Sequence, residues 1–225
     1  MTDPSELDMK GDWNRRALEN ARYYIATPID GTEQLFRSSG EHDVALFFDG
    51  LEQVLQPEAT VVDIGAGVGR MDEFVAPRVR RLIGVDVSGE MVALARQRLA
   101  HLDNIEFREG DGWTLPGMDD GGIDVVFSHI VFQHMPRNVA ASYFGEVVRV
   151  LAPGGHFVFQ LPERVPGAPA DPPESDTFEM RFYSEDELRD QLAGLGLDWV
   201  ACRRFAVKSP ALDFNQLRVH AQKPA

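Results

Sequence analysis

Apolar residues recur along this chain in two successive rhythms. Over 10–26, Trp13, Ala17, Leu18, Ala21, Tyr24 and Ile25 fall at helical spacing. A second helix is expected over 42–55, with Val44, Leu46, Phe47, Leu51, Val54 and Leu55 on its apolar face and Pro57 as its stop. From residue 60 the rhythm becomes short β-branched runs. These predict strands near 60–64, 81–86, 104–108, 123–128 and 155–161, separated by helices near 69–76, 88–100 and 139–150. Strand and helix alternating at this length imply parallel βαβ units. The stretch Pro162–Met180 is rich in proline and acid and too long for an ordinary connection, so it is either functional or without fixed structure. Ser184, with Glu187 at the capping-box position, opens a helix over 184–194. Two strands near 197–205 and 213–221, joined across Ser209-Pro210, are expected as an antiparallel hairpin at the sheet edge. Residues 1–9 read as a disordered tail.

Composition narrows the class. At 225 residues the chain fits one domain with appendages, and its 44% apolar and 26% charged content is ordinary for a globular protein. A single cysteine, Cys202, excludes an internal disulfide framework or a multi-thiolate metal site and suits a reducing compartment. The formal net charge of −14 disfavours nucleic acid and anionic membranes as partners. The first thirty residues hold no apolar core stretch of a secretory signal, and no run approaches membrane-spanning length, so cytoplasmic residence is expected. The oligomeric state is not readable.

The chemistry begins at Val61-Val62-Asp63-Ile64-Gly65-Ala66-Gly67-Val68-Gly69-Arg70. A buried strand running into alternate glycines predicts a tight turn before a helix, the place where doubly wound α/β folds take nucleotide-like ligands. A dinucleotide fingerprint has the spacing Gly-x-Gly-x-x-Gly. Here the spacing is Gly-x-Gly-x-Gly, and Asp63 stands two residues before the first glycine. A carboxylate at that place repels a pyrophosphate and pairs with an ammonium group. The implied ligand is cationic at one end, nucleoside at the other and free of phosphate, which describes S-adenosylmethionine and argues against a nicotinamide cofactor. Asp86, about twenty residues beyond the turn, is placed to accept both hydroxyls of a ribose. Val87 then offers adenine an apolar surface, Asp111 can accept from its amino group, and the N–H of Gly112 or Trp113 can donate to a ring nitrogen. Ala66, Gly69 and Arg70 in the turn, and Met91 in the first turn of the following helix, complete the expected cofactor set.

The segments VVDIGAGVGR, LIGVDVSGEMVALAR, IEFREGDGWTLP, IDVVFSHIVFQHMP and VLAPGGHFVFQLP resemble those of the class I S-adenosylmethionine-dependent methyltransferases, in the family's order and at its spacing. The resemblance implies a Rossmann-like, doubly wound seven-stranded α/β sheet ordered 3-2-1-4-5-7-6 with strand seven antiparallel. It implies cofactor contacts at Asp63, Gly65, Gly67, Asp86, Asp111 and Trp113, and places Ser128 near the methionine part of the cofactor. The expected division is an N-terminal helical extension or cap over 1–56 and the methyltransferase domain over 57–225.

Methyl transfer from a sulfonium leaves a neutral group behind, so most of the protein's contribution is positioning and desolvation, worth up to roughly 7–11 kcal/mol from orientation alone. His129 and His134 lie where an acceptor is expected, and either suits general-base work near neutral pH, with Gln133 as a polar contact. Tyr23, Tyr24 and Arg16 on the N-terminal helix are candidates for reaching the acceptor or the methionine carboxylate, and that helix for lying over the cofactor as a lid. The loop 162–180 with Arg181, Phe182 and Tyr183 is expected to shape acceptor choice. No metal-ligand set is apparent. The leading expectation is methyl transfer to an O or N atom of a small metabolite or natural product. A protein methyltransferase and a non-catalytic S-adenosylmethionine-binding protein remain open beside it.

Overall fold

The computed structural model describes residues 8–25 and 32–225. Most of the expected 1–9 tail, and the last residue of the helix expected over 10–26, lie outside the described residues. The chain divides into two compact units. Asp8–Gly112 carries helices α1 (Met9–Ile25), α2 (Glu33–Phe47), α3 (Asp72–Val75) and α4 (Gly89–Arg98) with strands β1 (Thr60–Ile64), β2 (Arg81–Asp86) and β3 (Ile105–Glu109). Trp113–Ala225 carries β4 (Ile123–Ser128), α5 (Arg137–Val150), β5 (Leu151–Pro162), α6 (Glu185–Gly194), β6 (Asp198–Val207) and β7 (Phe214–Gln222). The strands form a seven-stranded sheet in the order β3-β2-β1-β4-β5-β7-β6. β1, β2 and β3 pair in parallel, as do β4 and β5, and β7 runs antiparallel to β5 and β6. This is the doubly wound α/β fold expected from the strand and helix alternation.

In the N-terminal unit, β1 is buried along its whole length, and its continuous Val61-Val62…Ile64 run suits a parallel strand covered on both faces. One face packs Ala66, Val92, Ala95, Leu99 and Phe107, and another cluster joins Ala17, Phe36, Val68 and Met91, with Ala21 and Ile25 against it. α1 is broken at Asn20, whose backbone leaves the helical region and whose side chain accepts from the Tyr23 N–H at 3.1 Å, restarting the helix as a cap does.

Three boundaries differ from expectation. The second helix runs over Glu33–Phe47, not 42–55, with Thr32 as its cap through the Leu35 N–H. Its first half was masked by Gly40, a poor helix residue that is present because a Cβ there would lie 2.3 Å from the Arg70 carbonyl oxygen. Val54 is buried from a 3-10 turn at Glu52–Val54, and Leu51 and Leu55 flank that turn, so none of the three lies on the helix face. The third helix begins at Asp72, not 69, because the glycine turn runs on through Met71. β5 starts at Leu151, not 155, since Pro153-Gly154-Gly155 is a bulge within a longer strand: Leu151 pairs with Ile123 and His156 with Val125.

The C-terminal unit is organised around Phe132, which meets Phe144, Phe157 and Phe159 edge-on at 5.1, 6.1 and 6.0 Å between ring centroids. The hairpin of β6 and β7 is antiparallel as expected, with β6 outermost. Phe132→Ala should cost about 3–5 kcal/mol, the range for emptying a packed aromatic site. Urea unfolding followed by fluorescence and far-ultraviolet circular dichroism measures it, and a midpoint equal to that of the parent protein refutes the packing role.

Candidate functional site

The exits of β1, β2 and β3 are tied together by main-chain bonds. The Gly65 and Ala66 N–H groups donate to the Val85 carbonyl at 2.8 and 3.1 Å, and the Gly110 N–H to the Asp86 carbonyl at 2.8 Å. The Gly67 N–H donates to Asp86 Oδ2 at 2.8 Å, and the Ser88 N–H to Asp86 Oδ1 at 2.9 Å. Gly67 has φ +55°, so this position needs glycine, and the terminal methyl of Ile25 lies 2.8 Å from where a Cβ would be. Desolvation pushes the Asp86 carboxyl up to about 6, against the two N–H groups that favour its charged form. A carboxylate offers about four acceptor sites, and these two donors leave room for two more. The Ser88 hydroxyl accepts from the Met91 N–H at 3.2 Å and caps α4, the helix that follows.

α1 lies across these exits. Ile25 covers Gly67, the Met9 methyl comes to 2.8 Å from where a Cβ on Gly112 would be, and Val87 is 3.2 Å from the same point. Asn14 Oδ1 accepts from the Ser88 hydroxyl at 2.7 Å and from the Glu90 N–H at 3.4 Å. Met9 was expected in the tail over 1–9 and instead opens α1, and Asn14 was named on the N-terminal helix without an assigned contact. A methionine and an asparagine early in a polar helix carry no signal of what they will touch. Tyr23 is half exposed, its ring edge-on to Tyr24, whose hydroxyl donates to Glu19 at 3.0 Å. Asp111 is exposed just past β3. Arg70 is buried, and its guanidinium is taken up by Asp43 at 2.7 Å and the Ser39 hydroxyl at 3.2 Å, both on α2. Met91 packs in the cluster beneath α1.

Asp63 is 5% exposed, and it lies beside Asp72, which is 0% exposed with no hydrogen-bond donor at either oxygen. Burial raises both carboxyls, and the negative charge of Asp72 raises Asp63 further. Asp72 was also missed. Its signal was an acid among the buried positions of Met71-Asp72-Glu73-Phe74-Val75, where an apolar residue is the norm.

The C-terminal unit holds the remaining candidates. Ser128 is buried at the end of β4, and His129 follows it, half-buried. Ile130 then adopts φ +58°, a left-handed conformation that a β-branched residue accepts only under constraint, and such strain clusters at functional segments. Next comes a directed chain of donors. Gln216 Nε2 donates to Gln133 Oε1 at 3.4 Å, and Gln133 Nε2 donates to His134 Nε2 at 3.1 Å. His134 Nδ1 donates to the Phe178 carbonyl. A carbonyl only accepts, so its pairing places the proton on Nδ1 and leaves Nε2 to accept from Gln133.

Arg181 is fully buried. It donates from Nη2 to the Pro173 and Asp176 carbonyls at 2.8 and 2.9 Å, from Nη1 to the His134 carbonyl at 3.4 Å, and from its N–H to the Gln133 carbonyl at 2.8 Å. Arg137 pairs with Asp171 and Glu187 and lies 4.2 Å from the Tyr183 ring centre. Tyr183 is buried, which pushes its hydroxyl up to about 12. The long loop after β5 is therefore held in place by the segment that leaves β4. The Trp113 carbonyl accepts from the Ser142 hydroxyl at 2.9 Å. Among the described residues there is no cluster of three or more His, Cys, Asp or Glu able to hold a metal, and no helix long and apolar enough to cross a membrane.

Residues 61–155 match the family model of a methyltransferase domain. A probable S-adenosylmethionine-dependent methyltransferase of Mycolicibacterium smegmatis is 31% identical over 138 residues, covering 61% of this chain and 51% of that protein. A trans-aconitate 2-methyltransferase of Afipia carboxidovorans is 30% identical over 173 residues, covering 76% of this chain and 60% of that protein. The magnesium protoporphyrin IX methyltransferase of Synechocystis PCC 6803, solved with bound SAH, superposes with a TM-score of 0.67 at 17% identity over 95% of this chain and 97% of that one, a likeness of fold. The chain spans 31%, 51%, 39% and 54% of the first four curated relatives it matches.

Gly67→Ala adds a methyl group to the left-handed position under Ile25. It should weaken binding of S-adenosylhomocysteine by about 5–150-fold, the equivalent of the ~1–3 kcal/mol that such strain costs. Calorimetric titration reads this directly, and unchanged affinity in a folded variant removes Gly67 from the site.

Proposed function

We infer that this chain, whose residues 61–155 match the family model of a methyltransferase domain, works as a class I S-adenosylmethionine-dependent enzyme that methylates an O or N atom of a small metabolite or natural product. The observation that carries the cofactor end is the Gly67–Asp86 bond, which fixes a carboxylate with acceptor sites to spare at the exit of β2. The residues fit a nucleoside with a cationic amino-acid end. Asp86 would take the ribose hydroxyls, Val87, Met9 and Gly112 would flank the base, and Asp111 with the Gly112 and Trp113 N–H groups would read its edge. Asp63 would face the ammonium group, with Gly65, Ala66, Gly67, Gly69, Arg70, Met91 and Ser128 completing the surroundings. When bound, the cofactor supplies an electrophilic methyl group whose transfer needs no acid for the leaving group. α1 would exclude water from that site, as part of a helical cap over 1–56 on a core of 57–225.

For the acceptor, support comes from the trans-aconitate 2-methyltransferase relative, named for a small acid, and from the net charge of −14, which disfavours polyanions. The same charge and the lone cysteine support a cytoplasmic enzyme without membrane or nucleic-acid partners. His129, displayed beside the strained Ile130, is the residue we assign to proton removal from, or orientation of, the acceptor. His134 we assign to holding the Phe178 segment, because Gln133 already occupies the lone pair a base would use. Tyr23, Tyr24, Gln133 and Tyr183 remain the acceptor-side contacts of this proposal.

The reading is tested by titration with S-adenosylhomocysteine beside NAD, followed by a screen of small acids, phenols and amines for methyl transfer. Binding of NAD in place of S-adenosylhomocysteine overturns the cofactor end, and binding without turnover on any acceptor points to the non-catalytic alternative. Once an acceptor is known, His129→Ala should lower kcat about 100-fold, the low end for removing a general base. His134→Ala should instead raise the acceptor KM about tenfold at nearly constant kcat, the mark of lost positioning. Parent-like turnover in both variants removes histidine from the chemistry.

A further inference from the structure

We infer that Gln216 is a binding residue for the methyl acceptor, and that the group its side-chain oxygen takes is a hydrogen-bond donor: a hydroxyl, or the N–H of an amide or amine. This rests on the reading of the chain as a small-molecule methyltransferase and narrows its acceptor class.

Gln216 lies near the start of β7, opposite Pro162 at the end of β5 and Phe205 in β6. β7 runs antiparallel to β5, so its start lies at the C-terminal end of β5, the edge where open α/β sheets take their ligands. Gln216 is 7% exposed, and its Oε1 has no hydrogen-bond donor among the described residues. Its two cross-strand neighbours supply none, because the side chains of proline and phenylalanine carry no donor. A buried acceptor left unpaired is costly and uncommon in a folded chain.

The end of the amide that is left over is set from a distance. The Phe178 carbonyl accepts from His134 Nδ1, so His134 Nε2 accepts in turn from Gln133 Nε2 at 3.1 Å. Gln133 therefore turns Oε1 toward Gln216 and meets Gln216 Nε2 at 3.4 Å. An amide has one oxygen and one nitrogen, and the nitrogen of Gln216 is spent on Gln133. Turning Gln216 over would set two amide oxygens against each other. Turning Gln133 over would set its oxygen against an imidazole lone pair. Both glutamines are also held by their backbones. The Gln133 carbonyl accepts from the Arg181 N–H at 2.8 Å, and beside Gln216 the Asn215 carbonyl accepts from the Glu163 N–H at 2.7 Å. The chain of bonds thus starts at a main-chain carbonyl, which cannot reverse, and ends on an acceptor.

That polarity selects a partner. A hydroxyl or N–H gains a full hydrogen bond at Oε1. An ether or a carboxylate brings lone pairs against the same oxygen and gains nothing. Sites of this kind separate a ligand from its analogue lacking the donor far better than an apolar pocket separates ligands by size.

The test uses pairs of probes in which the donor hydrogen is replaced by methyl: phenol and anisole, cyclohexanol and methoxycyclohexane, benzamide and N,N-dimethylbenzamide. Each is titrated into protein saturated with S-adenosylhomocysteine and carrying isotope-labelled glutamine, with nuclear magnetic resonance following the Gln216 side-chain carbonyl carbon. In at least one pair the donor member should move that carbon downfield and bind about tenfold more tightly than its methylated partner. Gln216→Met should make the members of that pair bind alike. Pairs that bind alike in the parent protein, or no shift at Gln216 with any probe, overturn the inference whether or not the variant folds. That is the outcome expected if Gln216 serves only to hold Gln133, or if a water satisfies Oε1, and it leaves the cofactor reading standing. Calorimetry with S-adenosylhomocysteine comes first: a parent protein that does not bind it overturns the cofactor reading and this inference with it.

Discussion

A single charge-assisted hydrogen bond, from the Gly67 N–H to the Asp86 carboxylate, fixes the geometry on which the N-terminal unit depends. Bonds of this kind contribute about 1.5–3 kcal/mol, enough to hold a turn in an otherwise disfavoured conformation. Its demands spread outward. The turn must pass through a left-handed residue, so a glycine is required, and the space left by the missing side chain is filled by Ile25 from α1. Asp86 must stay at the end of β2, and Ser88, which donates to it, also caps α4 and bonds to Asn14. The strand exits, the helix start and the overlying helix are thus one connected arrangement.

That arrangement carries an electrostatic load. Asp63, Asp72 and Asp86 lie close together with raised proton affinities, while the nearby arginines are committed to other acids. A sequence selected only for stability would place apolar residues at positions such as 72. Proteins keep such costs where a site needs them. The strained Ile130 in the other unit is a second local cost, set between the end of β4 and the segment that anchors the long loop.

What could be read from the sequence follows from range. The run from Val61 to Arg70 declares a strand and a turn because burial, backbone freedom and the acid at Asp63 all act within ten residues. The parallel units were legible for the same reason. Gly40 misled because its justification is the Arg70 carbonyl, thirty positions away, and Pro153-Gly154-Gly155 misled because a bulge and a turn use the same residues. At the candidate site, Asp86 and Gly67 were identifiable from spacing, whereas Asp72, Met9 and Asn14 acquire meaning only once the chain has folded over them. His134 shows the limit from the other side. Its residue type suggested a base, and only its two neighbours, Gln133 and the Phe178 carbonyl, show that both ring nitrogens are occupied.

The position of β7 bears on how the chain is made. β7 lies inside the sheet, between β5 and β6, and pairs with β5 from His156↔Gln222 to Pro162↔Gln216. During synthesis β5 is complete some fifty residues before its partner emerges from the ribosome. Through that interval its outer edge is a row of unsatisfied amides and carbonyls on a strand of Phe157, Val158, Phe159 and Leu161, the kind of surface on which nascent chains associate wrongly. The proline- and acid-rich stretch that is translated immediately after β5 is poorly suited to adding a strand there. The segment that becomes the anchored loop of the folded protein thus does not compete with β7 for the edge of β5.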